Sequence, residues 1–227
     1  MAILLAAMQR ELDDDSRQPR SLTVSFLRPP EAKPTQVIAK VERSGRSLSS
    51  VTARLEQEGR PMALAVASFS VPWEGPLLDE SPMPQVEPPE DQAPQMPDEA
   101  PPFTHQLNMQ RRFGDWPFSG SDRAETGGWL GLREDRRPLD APSIALLADA
   151  WFPAPWPRLK KLAPAPTIEM SVYFRAPLPR DDALLLGRFR SGLTRDGFFD
   201  EDGELWAPDG TLVAQSRQLG LLIGAEE

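Results

Sequence analysis

Between residues 141 and 177 the hydrophobic period of the chain changes from one element to the next. Ile144 to Phe152 is apolar on every face except at Asp149. A run apolar all round predicts a buried helix, here about 142–152. Asp140 or Ser143 can cap it, and Pro142 falls in its first turn, where a missing N–H costs nothing. From Thr167 to Phe174 the period drops to two. Ile168, Met170, Val172 and Phe174 share one face, and Thr167, Glu169, Ser171 and Tyr173 the other, which predicts a strand.

The same patterns organise the rest of the chain. Residues 1–12 read as an amphipathic or buried helix that stops at the acidic run Asp13 to Asp15. Strands are expected at Ser21–Leu27, Thr35–Arg43, Ser47–Glu56 and Met62–Val71. Ser44-Gly45 and Glu58-Gly59 supply turns between them. Two more strands are expected at Thr104–Phe113 and Gly127–Glu134, before the helix at 142. Ala183–Leu193, Phe198–Trp206 and Thr211–Ile223 follow, with turns at Asp196-Gly197, Asp202-Gly203 and Asp209-Gly210.

The two halves look alike. Each has a helix, a strand ending in F-x-x-P and a three-strand meander. VSFLRPP (24–30) overlays VYFRAPL (172–178), and EGRPMALAVASF (58–69) overlays DGTLVAQSRQLG (209–220). A repeat of this size means two copies of one fold facing each other. Only the second half has two strands ahead of its helix, so the first is expected to lack its leading strands.

Composition sharpens this picture at one place. Ten of the 26 prolines and eight acidic side chains, with no Lys or Arg, fall in residues 72–102. That composition predicts an extended, solvated connection, and it leaves the remainder of a chain of net charge -9 close to neutral. No basic stripe points to nucleic acid. The apolar start MAILLAAM is too short to span a bilayer. A soluble cytoplasmic protein is expected, with no membrane partner. With no cysteine and one histidine, His105, thiolate sites and multi-histidine metal centres are excluded. His105 is read as structural, on the strand from Thr104.

A helix wrapped by an antiparallel sheet, twice in one chain, is similar to the double hot-dog fold. At residue level the chain resembles the acyl-CoA thioesterase II family. The resemblance is carried by RQPRSLTVSFLRPP (17–30), VERSGRSLSSVTARLEQEGRPMALAVASF (41–69), IALLADAWFP (144–153), PTIEMSVYFRAP (166–177) and DGTLVAQSRQLG (209–220). It implies an α+β double hot dog: a first repeat at 1–72, a linker at 73–102 and a second repeat at 103–227. It implies hydrolysis of acyl-CoA to free acid and CoA by water, with no cofactor. It also implies three site residues: an Asp ending the second helix, a hydroxyl residue opening the next strand and a Gln on the last strand. These fall on Asp149, Thr167 and Gln218.

The residues themselves argue in the same direction with unequal force. Burying the Asp149 carboxylate is costly unless it is paired, hydrogen-bonded or held by a metal. Near a helix C-terminus the dipole disfavours an anion by roughly 0.3–1 kcal/mol. Neither packing nor propensity asks for Asp there; the structural alternative is a cap for the following loop. Gln218 shares a face with Leu212, Ala214 and Ser216, and the overlaid position in the first half is Ala67; the alternative is an exposed edge glutamine. Thr167 is weak alone, because Thr is common in strands. Arg158, Lys160 and Lys161 read first as a solvated basic loop, with the phosphates of CoA as the alternative. Trp151 and Trp156 read as core or interface. A hydratase on the same fold is disfavoured by the lack of a histidine near the helix. A non-catalytic acyl-CoA-binding scaffold is the competing function. An exposed sheet edge in the first half predicts self-association into a homo-oligomer.

Overall fold

The computed structural model describes residues 1–98, 100–133, 139–177 and 184–224. Helix α1 (Ala2–Leu12) leads into strands β1 (Gln18–Phe26), β2 (Gln36–Ser44), β3 (Leu48–Gln57) and β4 (Arg60–Ser70). After the proline-rich connection come β5 (Leu107–Gly114), β6 (Glu125–Leu132) and helix α2 (Ala141–Leu147). The chain closes with β7 (Thr167–Phe174), β8 (Leu185–Arg190), the two-residue β9 (Thr194–Arg195), β10 (Phe198–Trp206) and β11 (Leu212–Leu221). The expected ends of two strands, Glu134 and Ala183, lie outside the described residues.

All strands belong to one antiparallel sheet in the order β2-β3-β4-β1-β7-β11-β10-β8-β6-β5, with β9 added to β10. Tight turns set much of the register. Glu58 and Gly59 both have positive φ, 51° and 73°. A two-residue hairpin needs this backbone because its twist then matches that of the strands. The two halves meet where β1 pairs with β7, Leu22 opposite Val172 and Val24 opposite Met170. Those four side chains are buried and face the same core as Leu4, Leu5 and Met8 of α1 and Ile144 and Leu147 of α2. On the other face of the same pair, the Thr23 and Ser171 hydroxyls lie 2.8 Å apart. Helix α1 packs on β2, β3, β4 and α2.

Besides the expected Asp202-Gly203 turn, which instead lies inside β10 opposite Arg217 and Ser216, three expectations need correction. Helix α2 ends at Leu147, not at residue 152. Asp140 caps it, accepting from the Ser143 N–H at 2.8 Å. Beyond Leu147 the bonds tighten to three-residue spacing, Asp149 N–H to Leu146 C=O and Ala150 N–H to Leu147 C=O. Pro153 then disfavours helical backbone at the residue before it. His105 lies in a short 3-10 turn, Pro102–Gln106, ahead of β5 and not on it. That turn starts on prolines, which fix φ and remove ladder donors.

The third correction concerns the connection. It forms no helix or strand, as its prolines predict, but much of it is strapped to the sheet. The indole N–H groups of Trp206 and Trp129 donate to the carbonyls of Ser81 and Glu87. Gln110 uses both ends of its amide on the backbone of Glu90. Met83 and Val86 cover the buried cluster of Trp129, Leu186 and Trp206. Proline and acid content predicted solvation; the sheet's tryptophans outweigh it, because a buried indole N–H needs an acceptor. Deleting residues 81–90 is expected to cost about 2–4 kcal/mol, from the apolar area uncovered and the donors left unpaired. A denaturant melt of the deletion variant checks this; an unchanged midpoint would contradict it.

Candidate active site

Asp149 stands one residue past the C-cap of α2, where the backbone turns toward Pro153. No hydrogen bond engages its carboxylate among the described residues, so it is available to a ligand. Its side chain is exposed, although protein atoms crowd around it. The surrounding protein atoms take part of the water away from the carboxylate and so disfavour its charged form. That desolvation lifts its pKa from 3.8 to about 6, against the opposing pull of the Met1 amino group.

Thr167 and Gln218 are brought together by a bulge. Strict alternation places Thr167 on the face of Glu169 and away from Met170. In the structure Glu169 pairs with Leu219 and Thr167 with Gly220, so two steps on β7 match one on β11. Ile168 is the extra residue, and it is exposed. The expectation that it shares the core face with Met170 is corrected accordingly. Beyond the bulge Thr167 turns toward Gln218, and its hydroxyl donates to Gln218 Oε1 at 2.8 Å. Re-aiming one side chain next to a site is a frequent use of a bulge. Gln218 is buried and opposite Met170, on the inner face of β11.

A fourth residue completes the group. Glu201 of β10, opposite Gln218, is 6% exposed. Its Oε1 accepts from Gln218 Nε2 at 2.6 Å. Its Oε2 accepts from the Ala154 N–H at 2.5 Å. One carboxylate therefore ties the strand carrying Gln218 to the turn that follows Asp149. A carboxylate only accepts, so Gln218 must present its NH₂ to Glu201 and its carbonyl oxygen to the Thr167 hydroxyl. Burial raises the Glu201 pKa from 4.5 to about 7. The bonds from Ala154 and Gln218 lower it, while nearby Asp149 and Asp202 add to the rise. The sequence reading missed Glu201 because it sits in the acidic run FFDEDGELW, which looks solvated. The available signal was the period of two. Phe199, Glu201 and Leu205 share a face, and all three are buried.

The remaining candidates fall outside this group. Trp151 is buried, donates to Thr126 Oγ1 at 2.8 Å and stacks near Phe189. Trp156 donates to the Ala163 carbonyl and packs on Phe118. Among the described residues no three His, Asp or Glu side chains converge as a metal would require.

What the site can do follows from its free valences. The Thr167 hydroxyl gives its proton to Gln218 and keeps lone pairs to accept with. Gln218 Nε2 spends one N–H on Glu201 and has one left. Asp149 offers an unpartnered carboxylate of elevated basicity. The acceptor and donor at the Thr167–Gln218 pair suit a water molecule, and Asp149 is a base five residues before Ala154, which Glu201 ties to that pair.

Comparison with known proteins agrees with the fold. Residues 82–222 match the model of the acyl-CoA thioesterase C-terminal domain, and residues 1–70 that of the acyl-CoA thioesterase N-terminal domain. A hot-dog protein of unknown function from Alicyclobacillus acidocaldarius is 32% identical with a TM-score of 0.87, covering 97% of this chain and 84% of its own. A protein from Thermobifida fusca assigned as a thioesterase II is 27% identical with a TM-score of 0.81, covering 98% of this chain and 84% of its own. An uncharacterized protein of Mycobacterium tuberculosis is 27% identical over 232 residues, 91% of this chain and 77% of its own. With an antiparallel sheet, two short helices and family matches to both of its halves, the chain is an α+β hot-dog protein that belongs to the acyl-CoA thioesterase family.

Proposed function

We propose that the protein hydrolyses an acyl-CoA thioester to the free acid and CoA by attack of a water held between Asp149, Thr167 and Gln218. One observation carries this reading: the buried chain Thr167–Gln218–Glu201–Ala154, which fixes two polar side chains beside the turn that bears an unpartnered, basic Asp149. The water donates one proton toward Asp149 and the other toward Thr167 Oγ1, and accepts the free N–H of Gln218. Its oxygen bonds to the thioester carbonyl carbon as Asp149 takes its proton. Collapse of the tetrahedral intermediate breaks the C–S bond, and the proton on Asp149 passes to the departing thiolate. Glu201 touches no reacting atom; it holds Gln218 in the useful amide orientation.

Two further readings belong with this one. The chain consists of two hot-dog repeats, at 1–72 and 103–227, joined by residues 73–102. The sheet register supports it: Ala67 lies opposite Leu22 as Gln218 lies opposite Met170, and both pairings shift register at the corresponding place, near Pro19 and near Thr167. The first copy lacks the amide and the hydroxyl, so only the second builds a site. Self-association through β2 also belongs to this reading, since among the described residues β2 is an edge strand and edges seek partners.

Release of free thiol from a panel of acyl-CoAs tests the activity. Turnover supports the thioesterase, whereas acyl-CoA binding without turnover supports a scaffold. Thr167→Ala and Gln218→Ala are each expected to lose about tenfold to a hundredfold in kcat. Combined with Asp149→Asn, their losses are expected not to add, because groups acting on one water fail as a unit. Full additivity in single-turnover rates would separate them from that water.

A further inference from the structure

A recess of about 1040 Å³ opens between the loop before β6, the loop after α2 and the β8–β10 turn. Its lining contains five cations, Arg123, Arg158, Lys160, Arg190 and Arg195, against three acids, Asp122, Glu125 and Asp196. Glu125 is already neutralised by Arg188 at 2.5 Å. The acids just outside are also engaged, Asp200 and Asp202 by Arg217 and Glu204 by Arg190. The side chains of Arg123, Lys160 and Arg195 have no polar partner among the described residues. Asp122 and Asp196 offset part of this charge, and the remaining excess of cations favours an anion in the recess.

The walls are built, not loose. The N–H groups of Phe118, Gly120 and Ser121 donate to the carbonyls of Trp156, Leu159 and Pro157. Arg158 Nη1 donates to the Asp122 carbonyl at 2.5 Å. Across the recess the Ser191 N–H donates to the Ala124 carbonyl, and Asp200 caps the turn through the N–H groups of Gly192 and Leu193.

The recess borders the active-site group at two points. Pro155, in its wall, follows Ala154, whose N–H is held by Glu201. Leu222, also in its wall, lies two residues past Gly220, the partner of Thr167. The thioesterase reading places the scissile bond at Asp149, and these chain neighbours place the cationic lining next to the residues that hold the site.

We propose that this recess receives the phosphates of the coenzyme A half of the substrate, with Arg123, Lys160 and Arg195 as their partners. The assignment rests on the thioesterase reading and deepens it. It gives a role to part of the basic loop after α2 and sets the substrate apart from thioesters without a nucleotide. Arg123 and Arg195 come from two different segments of the lining, so a phosphate that reaches both is bound by charge-assisted contacts from two segments.

The experiment compares two thioesters of one acyl group, its CoA ester and its N-acetylcysteamine ester, which has no phosphate. Both are assayed with the full-length wild type and with Arg123→Glu/Arg195→Glu. The substituted side chains are exposed, so the fold is expected to survive, and a circular-dichroism melt checks it. On the CoA ester kcat/KM is expected to fall roughly tenfold or more, through KM. On the N-acetylcysteamine ester it is expected to stay within about twofold, since no phosphate is present to lose a partner. Calorimetric titration of CoA alone is expected to show weakened binding in the same variant. Equal losses on both esters, or unchanged KM and CoA binding, would overturn the assignment. If the wild type hydrolyses neither ester, the thioesterase reading fails, while the calorimetric arm still decides whether the recess binds CoA. Lys160→Glu alone provides a second variant, expected to follow the same pattern with a smaller loss.

Discussion

Asp149→Asn is expected to lose about 10²–10⁴ in kcat on an acyl-CoA substrate, the range that general-base help supplies. KM is expected to change little. The substitution preserves shape, and Asp149 has no hydrogen-bond partner among the described residues to lose. An exposed asparagine one residue beyond a helix cap also costs little stability, so the loss is expected in a fully folded protein. The assay is steady-state thiol release beside a thermal melt. A structural role for Asp149 would give the reverse result, a lowered melt with turnover intact.

The second large effect is a pH dependence with two sources. With Asp149 as the proposed base, turnover needs it ionised, so kcat is expected to rise with pH through about 6 and then level. Stability runs the other way. Burial raises the pKa of Glu201 from 4.5 to about 7. The folded state therefore binds more protons than the unfolded chain between those values. The contribution of Glu201 is fully present below about 4.5 and is lost as pH rises through about 7. The linkage amounts to about 3 kcal/mol in order of magnitude. Melts from pH 5 to 8 are expected to fall in this window, and Glu201→Gln is expected to flatten the trend. The same substitution sets an NH₂ against either the Ala154 N–H or the Gln218 NH₂, because both need an acceptor. It is therefore expected to lower kcat while KM holds. Unchanged turnover in Glu201→Gln would show that Gln218 does not depend on Glu201 for its orientation.

The fold was largely legible from the period of the apolar positions. Strands β7 and β10 fall where alternation puts them, because each has one buried face and a slip by one residue would expose it. The turns at Glu58-Gly59 and Asp196-Gly197 were legible from their chemistry, since both positions of each turn have positive φ. Three things were not. The end of α2 was overrun because an apolar run continues to Phe152 after the helical bonds have tightened, and the pattern cannot register that change. The packing of the proline-rich connection was hidden because its acceptors are backbone carbonyls, which every sequence has, while its donors, Trp129 and Trp206, lie far away along the chain. The inward turn of Thr167 was hidden because a bulge shifts the period by one at Ile168 and nothing in the local residues demands it. Gln218 stood out as a polar residue on an apolar strand face and is buried, whereas Asp149 stood out in an apolar run expected to be buried and is exposed, because the helix ends before it. Glu201 had the same mark as Gln218 and was obscured by the acids on either side of it.

The central claim is that water, not the Asp149 carboxylate, attacks the thioester. Single-turnover hydrolysis with enzyme in excess, in ¹⁸O-enriched water, tests it most directly, with the isotope followed in the released acid and in the peptide containing Asp149. Direct attack by water predicts stoichiometric thiol, one ¹⁸O in the free acid and none in Asp149. Unlabelled acid with ¹⁸O in Asp149 would mean that the carboxylate formed an anhydride that water then opened, and would contradict the account.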